Sequence, residues 1–321
     1  MNHSVLISGA SGYIGRQLTE ALRKDRGALK TIIGLDLREA PDEPRADDIE
    51  YVSMDIRSPE LVSILNRFSV STVVHLASIV TPGRKSDRAF EYSVDVLGTE
   101  NLLKACVAAG VEKLIVTSSG AAYGYHPDNP AWLDERDPLR GNQDFAYSDH
   151  KRLVEEMLRR YRQEHPELSQ LIFRPGTILG ATADNQITAL FEKWYVLGLR
   201  GVDSPFVFIW DQDVVACILK GIHNDVDGIY NLAGDGFLTL PEIAAIMGKP
   251  YFAMPVWIVR YVLWLLKRLK LTQYGPEQID FLRYRPVLSN RRLKEEFGYI
   301  PQKATREVFQ FYVQRRRSSH H

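Results

Sequence analysis

The chain has 321 residues, with 40 Lys plus Arg against 40 Asp plus Glu and 45% hydrophobic residues. Balanced charge excludes a bulk electrostatic pull towards nucleic acid, and the composition excludes a disordered or fibrous chain. Two widely separated cysteines, Cys106 and Cys217, and eight histidines with no HxxxH or HxxEH spacing point to free buried thiols in a reducing compartment, and to no metal site.

The opening MNHSVLISGASG enters an apolar run at once. It leaves no room for a signal peptide, so a cytoplasmic protein is expected. SVLIS (4–8), KTIIGL (30–35), STVVHLA (71–77), EKLIVTSS (112–119) and QLIFRP (170–175) read as buried parallel strands, with a further strand expected ahead of Asp55. Residues 13–24, 59–68, 89–109 and 147–163 have helical period. This alternation predicts an α/β fold, a Rossmann-type doubly wound parallel sheet. Helix and loop signals fill 176–206. A strand and helix return at 204–222, and another strand at 228–234. Residues 235–316 read as mainly helical, with turns at Pro250, Pro276 and Pro286. The expected division is a dinucleotide-binding domain, 1–175 and 207–234, and a smaller, mainly helical substrate lobe, 176–206 and 235–316, with 317–321 as a tail.

Gly9-Ala-Ser11-Gly12-Tyr13-Ile14-Gly15 follows the first strand and opens the first helix. Glycines there allow a tight turn and close approach to a pyrophosphate, which rests on the positive helix N-terminus. Asp36 ends the second strand about 20 residues on. An acid there accepts hydrogen bonds from the adenosine ribose and repels a 2′-phosphate, which favours NAD over NADP; Arg38 lies two residues further. Asp55 reads either as a partner of the adenine amino group or as a cap for the helix near Pro59.

TSSGAAYG (117–124) ends the fifth strand with hydroxyls. Strand carboxyl ends face the ligand crevice in this topology, so Ser118 or Ser119 is expected on the cofactor side. Tyr147 and Lys151 stand four apart in a helix without Pro or Gly, hence on one face. A free phenol titrates near ~10, a neighbouring cation favours the phenolate, and an acid/base works best near the operating pH. The second Tyr-x-x-x-Lys, Tyr299 and Lys303, spans Pro301, which disfavours a continuous helix.

With GASGYIG (9–15), Asp36, DI (55–56), HLAS (75–78), GTENLL (98–103), TSSGAAYG and YSDHK in this order, the chain resembles the extended short-chain dehydrogenases/reductases, the NAD-dependent epimerase/dehydratase family. The resemblance spans nearly the whole length. It implies Ser119, Tyr147 and Lys151 as the catalytic set. Tyr147 would be the acid/base and Lys151 its partner on the nicotinamide ribose. It implies NAD as cofactor, held by Gly9, Ser11, Gly12, Tyr13, Ile14, Gly15, Asp36, Asp55, Ile56, Leu76, Ala77, Ser78, Tyr147, Lys151, Pro175 and Gly176. It also implies a homodimer built on the 89–109 and 147–163 helices.

Four positions depart from the sugar-nucleotide pattern. Asp95 stands where Asn often precedes Val-x-Gly-Thr, and Phe145-Ala146 stands where Asn-Pro often precedes the Tyr. Thr177 takes the place of a substrate-contacting Asn, and Phe206 that of a diphosphate-clamping Arg. Arg283, Arg285, Arg291 and Arg292 are candidate substitutes. PVWIVRYVLWLLKRLKL (255–271) is too short to span a membrane. Ile258, Val262, Leu265 and Leu269 form one apolar face, with Arg260, Lys267, Arg268, Trp257 and Trp264 on the other. A packed small-lobe helix is the expectation; peripheral membrane contact or an aromatic lid also fits. The functional expectation is hydride transfer at a secondary alcohol or ketone carbon of a nucleotide-sugar substrate. The alternatives are a dehydrogenase of an apolar, steroid- or lipid-like alcohol, and a non-catalytic NAD-binding protein.

Overall fold

The computed structural model describes residues 3–38, 49–80, 87–269, 275 and 278–318. They form two compact units, one comprising 1–119, 150–174 and 211–230, the other 120–149, 175–210 and 231–321.

The first unit carries a seven-stranded sheet. In chain order its elements are β1 (His3–Ser8), α1 (Tyr13–Lys24), β2 (Leu29–Asp36), β3 (Glu50–Ser53), α2 (Leu61–Arg67), β4 (Val70–His75), α3 (Arg88–Tyr92), α4 (Gly98–Ala109), β5 (Lys113–Thr117), α5 (Ala146–Glu164) and β6 (Ser169–Pro175). The second unit adds β7 (Thr177–Leu179), α6 (Gln186–Leu190), β8 (Val196–Leu199) and β9 (Phe208–Trp210). Then α7 (Asp211–His223) and β10 (Gly228–Leu232) return to the sheet. The sheet order is β10-β6-β5-β4-β1-β2-β3, and every pair from β3 to β6 is parallel. The order reverses between β1 and β4, and this reversal makes the crevice of doubly wound sheets. The strands read as continuous apolar runs because helices cover them: Val5, Leu6, Ile7, Ile32, Ile33, Val73, Val74, Leu114 and Ile115 are sealed from solvent.

One expected helix is interrupted. Residues 89–109 contain α3, then a π-helical turn at Ser93–Leu97, then α4. The Gly98 amide reaches back five residues to the Ser93 carbonyl, a geometry that apolar periodicity cannot register.

A buried ion pair fixes α5 to the sheet. Arg174, on β6, grips Glu155 from Nε (2.8 and 3.0 Å) and Nη2 (2.6 Å), and the Ser118 hydroxyl donates to Glu155 Oε1 at 2.6 Å. All three side chains are buried.

The second unit continues with α8 (Leu240–Met247), β11 (Tyr251–Met254), α9 (Val256–Arg268), α10 (Gln278–Arg283), α11 (Arg291–Glu295) and α12 (Thr305–Ser318). Thr239 and Glu242 form a capping box at the start of α8, which stops at Gly248 with φ 67°. The core is aromatic: Phe208 stacks on Phe206 (6.0 Å) and Phe309 (5.3 Å), and Phe191 meets Phe309 edge-on. The expected loop-and-helix character of 176–206 and the mainly helical reading of 235–316 need correction, whereas Pro250 does lie in the link between α8 and β11, and Pro276 lies outside the described residues. β7 pairs with β9 and β8 with β11, both parallel. Strands of three or four residues are too short for alternation to reveal. Tyr299 and Lys303 share no helix, and Lys303 lies over the Trp210 ring at 4.1 Å.

Arg174→Met leaves Glu155 charged, buried and short of a partner, and is expected to cost about 3–5 kcal/mol in denaturant unfolding. The double variant Arg174→Met/Glu155→Leu should recover most of that loss. Equal stability of the Arg174 variant and the parent would show that the pair contributes nothing.

Candidate active site

The glycine turn is set by close backbone approach. A Cβ on Gly9, whose φ is +78°, would lie 2.7 Å from the Ala77 nitrogen, and one on Gly15 would lie 2.2 Å from the Gly9 carbonyl oxygen. Only glycine lets α1 start this close to β1 and β4. Gly12 caps α1 in extended conformation with no side-chain cap, and the first turn holds no acid. A helix start with no acid and no side-chain cap suits an anion. Around them, the Leu76 amide donates to the Ser8 carbonyl at 3.0 Å, which lays 76–78 beside the turn. Asp36 Oδ2 accepts the Ser11 amide and Oδ1 the Arg38 amide, both at 3.0 Å. Arg38 Nε stays 3.6 Å away and largely exposed. The turn, the uncapped start of α1 and an acid at the end of β2 together fit a dinucleotide.

One expectation changes. Asp55 does not cap α2, which begins at Leu61. Its carboxylate is gripped by Arg57, with Nε at 2.9 and 3.0 Å and the Arg57 amide at 2.8 Å, and that pairing holds it below the usual carboxylate range against the effect of burial. The Ile56 side chain is buried, and a Cβ on Gly98 would lie 2.6 Å from its Cδ1. Tyr13 heads α1, and its phenol donates to Asp211 Oδ2 at 2.6 Å. Pro175 ends β6, and the Gly176 amide donates to the Leu232 carbonyl at 2.9 Å.

Of the two hydroxyls after β5, that of Ser118 is engaged by Glu155. Ser119, the next residue, is buried at the strand's carboxyl end. Lys151 is buried on α5 one turn before Glu155, and Tyr147 lies one turn earlier still. Tyr147, Lys151 and Glu155 therefore form one row at i, i+4 and i+8.

A buried polar group lies next to Lys151. His75 accepts or donates at Nδ1 with Ser8 Oγ (2.7 Å) and at Nε2 with Thr99 Oγ1 (3.0 Å). Burial, reinforced by the Lys151 charge, pushes its pKa down to about 3. Asp95, carried by the π turn, accepts the Ile79 amide at 2.8 Å and lies 3.7 Å from His150 Nδ1. Burial alone would raise the Asp95 carboxyl. His150, the Lys151 charge and the Ile79 amide outweigh it and hold the group below its ordinary value.

In the second unit, Arg285 settles over Phe206. Its guanidinium carbon is 4.0 Å from the Phe206 centroid and 4.6 Å from that of Phe281. Nη2 reaches Thr177 Oγ1 at 3.4 Å, and Nη1 is sealed from solvent with no hydrogen-bond partner. Burial lowers its pKa to about 10. Arg291 and Arg292 pair with Glu295 and Glu296 along α11, whereas Arg283 lies over Tyr284 with its Nε also sealed from solvent and without a hydrogen-bond partner. Tyr125, Phe145 and Phe281 pack together at 5.0–5.8 Å, with Tyr147 6.4 Å from Phe145. They form an aromatic cluster reaching from Tyr147 to Arg285. Burial pushes the Tyr125 phenol up, against the pull of Arg285.

Sequence reasoning missed Glu155, His150 and Asp211. Continuing the four-residue row from Tyr147 and Lys151 would have reached Glu155; no local pattern marks the other two. Among the described residues no group of His, Cys, Asp and Glu could hold a metal ion.

Residues 5–233 match the family described as the NAD dependent epimerase/dehydratase family. The chain is 27% identical over 326 residues to a UDP-glucose 4-epimerase of Mycolicibacterium smegmatis, covering 94% of this chain and 95% of that one. It is 35% identical over 195 residues, 60% of this chain and 54% of the relative, to an N-acetyl-alpha-D-glucosaminyl-diphospho-ditrans,octacis-undecaprenol 4-epimerase of Escherichia coli O157:H7. In fold it is similar to the UDP-glucose 4-epimerase of Thermus thermophilus solved with NAD, with a TM-score of 0.75, 24% identity, and coverage of 98% and 99%. The chain belongs to the NAD-dependent epimerase/dehydratase family.

Two outcomes are expected. Titration of both dinucleotides should show tighter binding of NAD, and Asp36→Ala should narrow the difference; equal affinities in the parent would transfer control of the pocket to Arg38. His75, neutral when folded, takes up a proton on unfolding below the unperturbed pKa of about 6.5. Stability should therefore fall as pH drops from about 6.5 towards 3, with this group contributing of order 4 kcal/mol across the full window. Imidazole nitrogen shifts in NMR should show His75 still neutral at pH 5.

Proposed function

We propose that this chain is an NAD-dependent enzyme that oxidises and re-reduces, or simply oxidises or reduces, a secondary alcohol carbon of a sugar joined to a diphosphate, a nucleotide sugar first of all. Arg285 carries this reading. A half-buried guanidinium with a sealed, unpartnered Nη1 is costly alone, and a diphosphate would supply the missing acceptor. The cation rests on Phe206 itself, so the position lacking an arginine is covered by one from the other side. The named relatives act on sugars joined to diphosphate groups in both cases. An uncharged steroid-like alcohol would leave Nη1 unsatisfied.

NAD, held by the glycine turn and Asp36, supplies the hydride acceptor and donor. The Tyr147 oxygen, in its deprotonated form, takes the proton of the substrate hydroxyl and, as the phenol, returns it. The Lys151 ammonium, one helical turn from Tyr147, holds the nicotinamide ribose. The Ser119 hydroxyl hydrogen-bonds the reacting oxygen and orients it. Glu155, clamped by Arg174, fixes the rotation of α5 and so the direction in which its polar row points. The intact Ser119, Tyr147 and Lys151 weigh against a protein that only binds NAD. The same family likeness supports a homodimer built on the α4 and α5 helices, and the free, buried Cys106 and Cys217 suit a reducing cytoplasm. A second reading, in which the diphosphate carries a lipid, is favoured by the name of the Escherichia coli relative and by the apolar outer face of α9.

Tyr147→Phe should lower turnover roughly 10²–10⁴-fold with NAD binding intact; Lys151→Ala should weaken both, and Tyr299→Phe neither. Equal losses at Tyr147 and Tyr299 would remove the catalytic assignment. With NAD present, UDP at about a hundredfold excess over its Kd should stabilise the protein by roughly 2.7 kcal/mol, and Arg285→Ala should abolish that shift. No shift with UDP or dTDP, but one with a polyprenyl diphosphate sugar, would select the lipid-linked substrate. A shift with neither would overturn the diphosphate reading.

A further inference from the structure

Helix α9 has no buried residue along its 13 positions. The helix is thus less packed than the expected small-lobe helix. Val256, Ile258, Val259, Leu263 and Leu266 are half-buried, whereas Val262, Leu265 and Leu269, three of the four residues of the expected apolar face, are exposed. Trp257 is 72% exposed and Tyr261 59%. These two, with Trp264 and Arg268, stand at i, i+4, i+7 and i+11, one stripe along the helix. Tyr261 stacks on Trp264 at 5.9 Å, and Arg268 lies over that indole at 5.4 Å. On β11, just ahead of α9, Phe252 is also exposed, edge-on to Trp194, which is 69% exposed.

Two features of this surface select its occupant. Residues 250–269 contain Arg260, Lys267 and Arg268 and no Asp or Glu. A second copy laid on the same face would oppose cation to cation, whereas an anionic surface would neutralise them. Tryptophan and tyrosine interleaved with cations also match the boundary between headgroups and acyl chains. At 1.5 Å per residue the helix is roughly 20 Å long, short of the ~30 Å of a hydrocarbon core, and no helix among the described residues is long and apolar enough to cross a membrane. We propose that α9 lies in the plane of an anionic bilayer surface, its Trp257–Tyr261–Trp264 stripe in the acyl boundary and Arg260, Lys267 and Arg268 on the headgroups. This docking stands independently of which diphosphate sugar the enzyme takes.

The test is flotation of the full chain, with NAD present, on vesicles of phosphatidylcholine alone or mixed with phosphatidylglycerol. The parent should float with the anionic vesicles, more weakly with the neutral ones, and less as salt rises. Arg260→Gln/Arg268→Gln should weaken partition about 30-fold, at roughly a fivefold loss per cation. Trp257→Ser/Trp264→Ser should also weaken it. The unfolding temperature and the turnover of a soluble nucleotide sugar should stay unchanged in both variants, which separates a failed docking from a failed reading of the active site. Absence of flotation at low salt would overturn the proposal, as would parent-like flotation of both variants. So would self-association in sedimentation that the tryptophan variant removes, since the face would then belong to a second copy.

Discussion

The Glu155 carboxylate, buried between Arg174 and Ser118, is the constraint on which the arrangement of the candidate site depends. A helix lying on a sheet through apolar contacts alone can rotate by some degrees at little cost, because dispersion is not directional. A bidentate guanidinium–carboxylate contact is directional. It fixes one face of α5, and the four-residue repeat carries that orientation to Lys151 and then Tyr147. Ser118 joins the clamp, so its neighbour Ser119 is positioned by the same bond.

The second unit works by a different principle. Its aromatic core seats a cation against ring faces rather than against a carboxylate. Phe206 and Phe281 offer Arg285 their negative π faces, which offsets part of the desolvation without consuming the guanidinium's hydrogen-bonding capacity. Thr177 takes one N–H at long range. The unused donors on the rigid fork stay suited to an anion with several oxygens. A carboxylate partner in the place of Phe206 would have made a stable pair and a poor receptor.

Much of the fold was legible because its signals are local. Buried parallel strands are unbroken apolar runs, and α1 begins and ends where its glycines and lysine said it should. The glycine turn, Asp36, Ser119, Tyr147 and Lys151 could be named as candidates because each stands at a fixed offset from the end of an element. What stayed hidden depends on residues distant in sequence. Arg174 meets Glu155 across a loop and a strand, and Arg285 finds Phe206 some eighty positions away. The short strands β7, β8 and β11 gave too few residues for a period. The outer face of α9 was misread because its helix is apolar almost all round, so periodicity could not tell which side turns inwards.

The π turn at Ser93–Leu97 holds one residue more than a regular turn needs, and Asp95 sits within it. A one-residue deletion there would let Arg88 to Ala109 close into a single α-helix, with α4 still anchored over Ile56. Everything before the deletion would then turn by about 100° around the axis. The acid would swing away from His150 and the Ile79 amide, with no change to any residue of the sheet. The register of this helix is therefore a setting of the electrostatics around the lysine, changed by chain length rather than by chemistry.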